Sequence, residues 1–235
     1  MIDTAVILAG GKGLRLMPDT QDKPKAMVPI LNRPLIEWII LWLKKYDVKN
    51  IVVSVDHKKE VLKEYLGNGE KLGVNISYND HSGAADTGDA FRSVFKNINL
   101  PETFLAMNGD QITDMDIKKF AEHHEKYKPV ATIYATPTKI PYGIIQHGDE
   151  HTITGFQEKP VMKNIMMNTG IYIFDKSIGE HLPENGPIER TTFKNLAEAG
   201  KLKVYFHDGL FTTVNDHKDL DESQKILKHS NINFI

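Results

Sequence analysis

The sequence predicts an α/β fold with a mixed, mostly parallel central sheet flanked by helices and a small antiparallel part in its second half. Three observations lead there. Short β-branched runs alternate with longer helical patterns through the first half, the order of βαβ units. The first of these runs leads straight into glycines, and after about Pro137 alternating segments take over. A chain of 235 residues that is 40% hydrophobic can bury a substantial core, and no Pro/Ser linker or repeat divides it. One domain over residues 1–235 is expected, with parts of approximately 1–136 and 137–235.

The elements follow in order. Strands are expected at Thr4–Ala9, Asn50–Val55, Asn75–Tyr78, Thr103–Asn108 and Val130–Ala135, each a compact apolar or β-branched run. Helices are expected near Pro34–Tyr46, Lys59–Leu66, Thr87–Asn97 and Asp116–Tyr127. In the first of these, Leu35, Trp38, Ile39, Trp42 and Leu43 recur at three- and four-residue spacing, so both tryptophans read as core. Gly143–His147, Thr152–Gln157 and Asn168–Phe174 look antiparallel; a helix near Glu189–Ala199 and a strand near Lys203–His207 complete the pattern. The histidines show no metal spacing, and Met162, Met166 and Met167 read as packing or loop residues.

Composition narrows the function. With a net charge of -2 and both signs interspersed, the chain has no basic field for nucleic acid. Without cysteine, any metal must be held by oxygen or imidazole, and no thiolate can act as a nucleophile. The apolar start Ala5–Ala9 is short and lacks a basic flank, so it reads as a buried strand; a cytoplasmic protein with no membrane partner is expected.

The chemistry should sit on loops at strand C-termini. In Leu8-Ala9-Gly10-Gly11-Lys12-Gly13-Leu14-Arg15-Leu16, glycines let backbone N–H groups approach phosphate oxygens. Leu16 stands where a dinucleotide fingerprint needs its third glycine, and no Gly-Lys-Ser/Thr follows, so neither that motif nor a Walker loop is present. Lys23-Pro24-Lys25-Ala26-Met27-Val28-Pro29-Ile30 adds cations to the same connection. Alone, a Gly-Gly turn near lysines is an ordinary solvated loop.

The whole string, Gly10-Gly11-x-Gly13-x-Arg15-Leu16-x-Pro18 followed by Lys23-Pro24-Lys25-x-Met27-x-Pro29-Ile30, resembles the N-terminal motif of the sugar-1-phosphate nucleotidyltransferase family. The resemblance implies the Rossmann-like nucleotide-diphospho-sugar transferase fold, with a nucleotide-binding first part and a sugar-binding second part. It implies nucleotide contacts from Leu8, Ala9, Gly10, Gly11 and Gly13, phosphate stabilisation by Arg15, and a phosphate contact from Lys25.

Further pieces follow in the family's order. Phe104–Asp110 is an apolar strand ending in Asn108-Gly109-Asp110, similar to the family's metal motif; Asp110 is the leading Mg²⁺ ligand, and Asn108 and Gly109 lie on the sugar-phosphate side. Phe156-Gln157-Glu158-Lys159-Pro160 resembles the segment whose Glu holds sugar hydroxyls and whose Lys holds the sugar phosphate. Asn168-Thr169-Gly170-Ile171-Tyr172 and Tyr142-Gly143 resemble the family's sugar strand and sugar loop.

Two places depart from the family. In Ala85-Asp86-Thr87-Gly88-Asp89-Ala90 an Asp stands where relatives carry Gly before Thr. Thr87 is expected as both N-cap and nucleotide contact, and Asp86 as an acceptor for guanine N–H groups or a solvated loop residue. His81 and Asp80 are further base-contact candidates. Near the end, Phe211-Thr212-Thr213-Val214-Asn215-Asp216 puts Thr213 where many relatives have a metal-binding Asp. N-acetylglucosamine-1-phosphate uridylyltransferases resemble this chain in having Val-Asn there, which implies Asn215 as the second ligand with Asp216 as fallback; both residues are also plausible helix caps.

The implied reaction joins a nucleoside triphosphate and a sugar 1-phosphate with Mg²⁺, giving a nucleotide sugar and pyrophosphate. Guanylyl transfer to a mannose-type sugar and uridylyl or thymidylyl transfer to a glucose-type sugar both stay open, as does a homo-oligomer. Two rivals share the fold: a phosphocholine cytidylyltransferase-like enzyme, and a noncatalytic regulatory subunit.

Overall fold

The computed structural model describes residues 2–84 and 86–230; Ala85 of the Asp86 motif lies outside them. The strands are β1 (Thr4–Leu8), β2 (Pro29–Ile30), β3 (Arg33–Pro34), β4 (Asn50–Val55), β5 (Asn75–Asp80), β6 (Thr103–Asn108), β7 (Gln111–Thr113), β8 (Ala131–Lys139), β9 (Ile144–His147), β10 (Ile153–Gln157), β11 (Val161–Asp175), β12 (Leu202–Phe206) and β13 (Phe211–Thr213). The α-helices are α1 (Leu35–Lys45), α2 (Lys59–Leu66), α3 (Thr87–Asn97), α4 (Ile117–Tyr127), α5 (Thr192–Glu198) and α6 (His217–His229).

Seven strands form one sheet in the order β12-β8-β11-β6-β1-β4-β5. β5, β4, β1 and β6 pair in parallel, β12 pairs in parallel with β8, and β11 runs antiparallel to both β6 and β8. The second half therefore contributes mostly to the same sheet, and the separate antiparallel piece is the β9–β10 ribbon. Two short ribbons, β2–β3 and β7–β13, lie outside the sheet.

Both faces of the sheet are covered, which is why its central strands read as continuous apolar runs. Ala5 and Ile7 of β1 and Ile171 and Ile173 of β11 point into one core with Leu35, Ile39 and Trp42 of α1. Val6, Tyr172 and Phe174 point into the other with Phe91 and Val94 of α3 and Phe193 of α5. Both tryptophans are structural: Trp42 Nε1 donates to Met115 O at 3.0 Å and Trp38 Nε1 to Ile30 O at 3.1 Å.

Several boundaries differ from the sequence reading. β11 begins at Val161, seven residues before the expected Asn168, so Met162, Met166 and Met167 are strand residues; Met166 and Met167 are exposed. β8 continues past Ala135 to Lys139 because it pairs with that added length. α5 is shorter than Glu189–Ala199, since Glu189 and Arg190 lie in a turn. Among the described residues, no helix is long and apolar enough to cross a membrane.

Candidate active site

Register aligns the loops that matter. Leu8, the last residue of β1, lies opposite Ser54 of β4 and Asn108 of β6, so Ala9–Gly11, Asp56 and Gly109-Asp110 leave one edge of the sheet side by side. Between them opens a cleft of about 370 Å³. Its walls bring together eleven predicted site residues: Leu8, Ala9, Gly10, Gly11, Lys25, His81, Asp86, Thr87, Asn108, Gly109 and Asp110.

The glycine loop is held by its own hydrogen bonds. Lys25 N donates to Gly11 O at 3.2 Å, Thr20 Oγ1 donates to Gly13 O at 2.9 Å, and Lys58 Nζ reaches Thr20 O at 2.8 Å. Gly13 has φ +64 and its Cβ would lie 2.9 Å from Thr20 Cγ2, so Gly13 shapes the loop from outside the cleft. A Cβ on Gly10 would lie 2.5 Å from His81 Nε2. Gly109 N donates to Leu8 O at 2.8 Å, and a Cβ there would meet the same oxygen at 2.8 Å.

Three polar groups from distant parts of the chain converge here: Lys25 and Asp110 line the cleft, and Asn215 lies behind them, reached through Lys25. Lys25 Nζ donates to Asp110 Oδ2 at 2.6 Å and to Asn215 Oδ1 at 2.9 Å. Asn215 is turned this way because its Nδ2 donates to Thr213 Oγ1 at 3.2 Å. Asp216 instead caps α6, its carboxylate accepting from Asp219 N at 2.9 Å, while Asp219 accepts from Asn215 N at 3.0 Å. The fallback ligand is thus committed to the helix end. Asp110 Oδ1 is buried without a hydrogen-bond partner, a free hard oxygen beside Oδ2 and the Asn215 amide. Such a donor set suits Mg²⁺, which takes one or two carboxylates and leaves its other positions to phosphate and water.

The chain matches the nucleotidyl transferase family over residues 4–211, most of its length. The chain belongs to that family. This transferase is 30% identical over 229 residues to the D-glycero-α-D-manno-heptose 1-phosphate guanylyltransferase of Aneurinibacillus thermoaerophilus, covering 96% of this chain and 98% of that protein. It is 33% identical over 196 residues to the UTP–glucose-1-phosphate uridylyltransferase of Synechocystis, covering 76% of this chain but half of that protein. A UDP-glucose pyrophosphorylase solved with UDP-glucose shares the fold, with a TM-score of 0.76, 20% identity, and 97% and 99% of the two chains covered.

At the far end of the transferase's cleft, the expected N-cap is corrected. Asp86 caps α3, its Oδ1 accepting from Gly88 N at 3.0 Å and Asp89 N at 3.3 Å, because an Asp directly before the helix outcompetes a Thr inside its first turn. Thr87 Oγ1 donates to Glu189 Oε2 at 2.9 Å and accepts from Ile188 N at 3.2 Å, tying α3 to the segment before α5. Asp80 is held by Lys59 at 2.5 Å and by Ser82; those bonds keep its carboxyl far below the usual range, and it does not line the cleft. Burial pushes the His81 imidazole below its ordinary pKa, against the pull of Asp56 and Asp80.

The remaining predicted residues stand apart from this cleft. Arg15 is exposed on a one-turn helix at Leu14–Leu16. Tyr142, Gly143, Glu158 and Lys159 belong to the β9–β10 arm: a Cβ on Gly143 would lie 3.0 Å from Glu158 Oε2, and Lys159 Nζ pairs with Glu158 Oε1 at 3.4 Å. Asn168 sits where β11 meets the sheet, accepting from Gly170 N at 2.9 Å and donating to Tyr172 OH at 3.1 Å. Sequence reasoning missed Asp56, which lines the cleft directly after β4; the rule that strand C-termini carry site residues would have found it.

Proposed function

We propose that this transferase moves a nucleoside monophosphate from a nucleoside triphosphate to a sugar 1-phosphate, releasing pyrophosphate, with Mg²⁺. The observation that carries the reading is the convergence of Lys25, Asp110 and Asn215 beside a glycine-walled cleft. A phosphate oxygen of the sugar 1-phosphate attacks the α-phosphorus in line, and the bond to the bridging oxygen of the β-phosphate breaks. The attacking phosphate is already ionised near neutral pH, so no general base is needed; positioning two anions and neutralising charge are the catalytic tasks.

Each group has a task in that scheme. The Gly10–Gly11 backbone lies against the phosphates, Lys25 neutralises phosphate charge, and Arg15 reaches in from the rim to the phosphates undergoing exchange. Asp110 and Asn215 would hold Mg²⁺, which supplies electrostatic stabilisation of the α-phosphate and the leaving group. Glu158, Lys159, Tyr142 and Gly143 on the arm and Asn168 on β11 serve the sugar and its phosphate, together with Asn108 and Gly109 at the cleft. Guanylyl transfer to a mannose-type sugar is favoured by the Asp86 carboxylate, an acceptor for guanine N–H groups, and by a guanylyltransferase relative, 30% identical, that aligns along nearly its whole length. Uridylyl transfer to a glucose-type sugar is the second reading, favoured by the cyanobacterial relative.

The test is pyrophosphate release with Mg²⁺, each nucleoside triphosphate, a panel of sugar 1-phosphates, and choline phosphate. Release with one triphosphate and one sugar 1-phosphate is expected. Release with CTP and choline phosphate alone would replace the sugar reading, and folded protein inactive across the panel would leave the noncatalytic subunit.

A further inference from the structure

We propose that Ser54 and Asn79 are positioning residues that hold His81 as the neutral tautomer protonated at Nε2, so that the ring presents one fixed hydrogen-bond donor to an acceptor atom of the bound nucleotide. The proposal rests on the nucleotide-binding reading of the cleft above.

A polar chain runs behind the cleft wall from α3 to the ring. Asn97 Nδ2 of α3 donates to Asn79 Oδ1 at 3.0 Å. Asn79 Nδ2, on β5, donates to Ser93 Oγ at 3.2 Å and to Ser54 Oγ at 3.1 Å. Ser54 Oγ, on β4, lies 2.7 Å from His81 Nδ1. Asn79 and Ser54 are buried, at 1% and 0% exposure, so their polar atoms depend on one another rather than on water.

The chain has a direction. A serine hydroxyl carries one proton and two lone pairs; Ser54 Oγ receives a hydrogen bond from the Asn79 amide, and among the described residues the acceptor within reach of its buried proton, costly to leave unpaired, is His81 Nδ1. Its own proton is then directed to His81 Nδ1, which must be bare to accept it, and a neutral ring bare at Nδ1 carries its proton on Nε2. Burial favours the neutral ring.

The Nε2 edge faces the site. The ring lines the cleft, and an ideal Cβ on Gly10 would lie 2.5 Å from Nε2 and 2.8 Å from Cε1, so only glycine lets that edge lie against the loop. A part-buried donor fixed before the ligand arrives loses little entropy on binding, and a ligand without a matching acceptor forfeits that bond. His81 thereby selects a carbonyl oxygen or ring nitrogen of the nucleotide over a donor group at the same point.

The experiment uses the full chain, labelled with ¹⁵N, and reads the His81 ring nitrogens by long-range proton–nitrogen correlation at pH 7, assigned by loss of signal in His81→Gln. A protonated Nε2 and a bare Nδ1 are expected; a proton on Nδ1, or on both, overturns the proposal. Titration with the magnesium complexes of GTP and UTP follows. Ser54→Ala should mix the tautomers and weaken the nucleotide that binds by about tenfold, with the KM for the sugar 1-phosphate unchanged. Should Ser54→Ala fold poorly, His81→Gln, which keeps an N–H donor, should retain more affinity than His81→Phe, which has none. Equal affinity in that pair, or an unchanged tautomer and affinity in Ser54→Ala, overturns it. If neither nucleotide binds the wild type, the guanylyl and uridylyl readings of the proposed function fail as well, whereas a wrong tautomer with normal binding sinks the positioning role alone.

Discussion

The ammonium of Lys25 lies 2.6 Å from the carboxylate of Asp110, across 85 residues of sequence, and the same nitrogen lies 2.9 Å from the Asn215 amide oxygen. A cation thus already sits between the two proposed metal ligands, and a divalent ion entering alone must compete with it. Lys25→Met should therefore bind Mn²⁺ more tightly than the wild type without nucleotide, in a calorimetric or spin-resonance titration, although its turnover falls. Asp110→Ala should lose that binding and cut turnover by about 10²-fold or more while keeping the fold. Wild-type-like turnover in Asp110→Ala would sink the metal assignment.

Glycines of the cleft should respond differently to an added methyl. Gly10→Ala forces Cβ to 2.5 Å from His81 Nε2 and 2.9 Å from Asp56 Cβ, so the ring must shift and nucleotide affinity should fall by about tenfold. Gly109→Ala instead meets Leu8 O at 2.8 Å; backbone gives way less readily, and a loss of about 1–3 kcal/mol in stability is expected from denaturant unfolding.

Asp86 caps α3, and one pair of variants separates that role from the proposed reading of guanine. Asn is as good an N-cap as Asp, whereas Ala costs about 1 kcal/mol. Asp86→Ala should lower Tm by ~2–4 °C, and Asp86→Asn should leave it unchanged. If the carboxylate reads guanine, both variants should raise the KM for GTP; an unaltered KM in both would confine Asp86 to the helix end.

Acid should destabilise the protein through one buried and one part-buried imidazole. Burial lowers the pKa of both His81 and His124, the latter within 2.8 Å of Thr132 Oγ1, so below pH ~6.5 the unfolded chain binds protons that the folded chain refuses. Their contribution is complete above that pH and is lost as the pH falls through the lowered folded-state values. Thermal melts from pH 8 down to pH 5 should show Tm declining below about 6.5, with a shallower decline in His124→Gln if its partner bond survives.

Lys159 stands outside the nucleotide cleft, on the arm. Lys159→Ala should raise the KM for the sugar 1-phosphate by about tenfold and leave that for the triphosphate unchanged, as expected for loss of one charge-assisted contact. Equal changes in both constants would place the residue elsewhere.

The central strands were legible because burial on both faces leaves a continuous apolar signature, as in Ala5–Leu8 and Phe104–Met107. The first half of β11 was not: Val161, Ile165, Met166 and Met167 are all exposed, so no alternation marks the strand, and its existence depends on pairing with β8. β7 and β13 are three residues each, too short to carry a period. Within the site, Gly10, Gly11 and Asp110 were legible from chain order and the family resemblance. The meeting of Lys25, Asp110 and Asn215 is a product of the fold, which no local pattern encodes, and Asp86 was misjudged because the resemblance drew attention to Thr87 when capping chemistry already favoured the Asp.

Among the described residues, β11 is the only strand of the sheet that runs against both of its neighbours, and its 15 residues begin in the exposed arm and end between the two cores. The arm is therefore a cantilever, anchored at its root by Ile171–Phe174 in the cores and along its length by the pairing of Val161–Asn168 with β8, with the β9–β10 ribbon beyond. Residues 142–159, which lie outside that pairing, are the part of the arm where a change of sequence touches the sheet least. Under the proposed function, a change of acceptor made there would leave the walls of the nucleotide cleft, Leu8–Gly11 and Asn108–Asp110, in place.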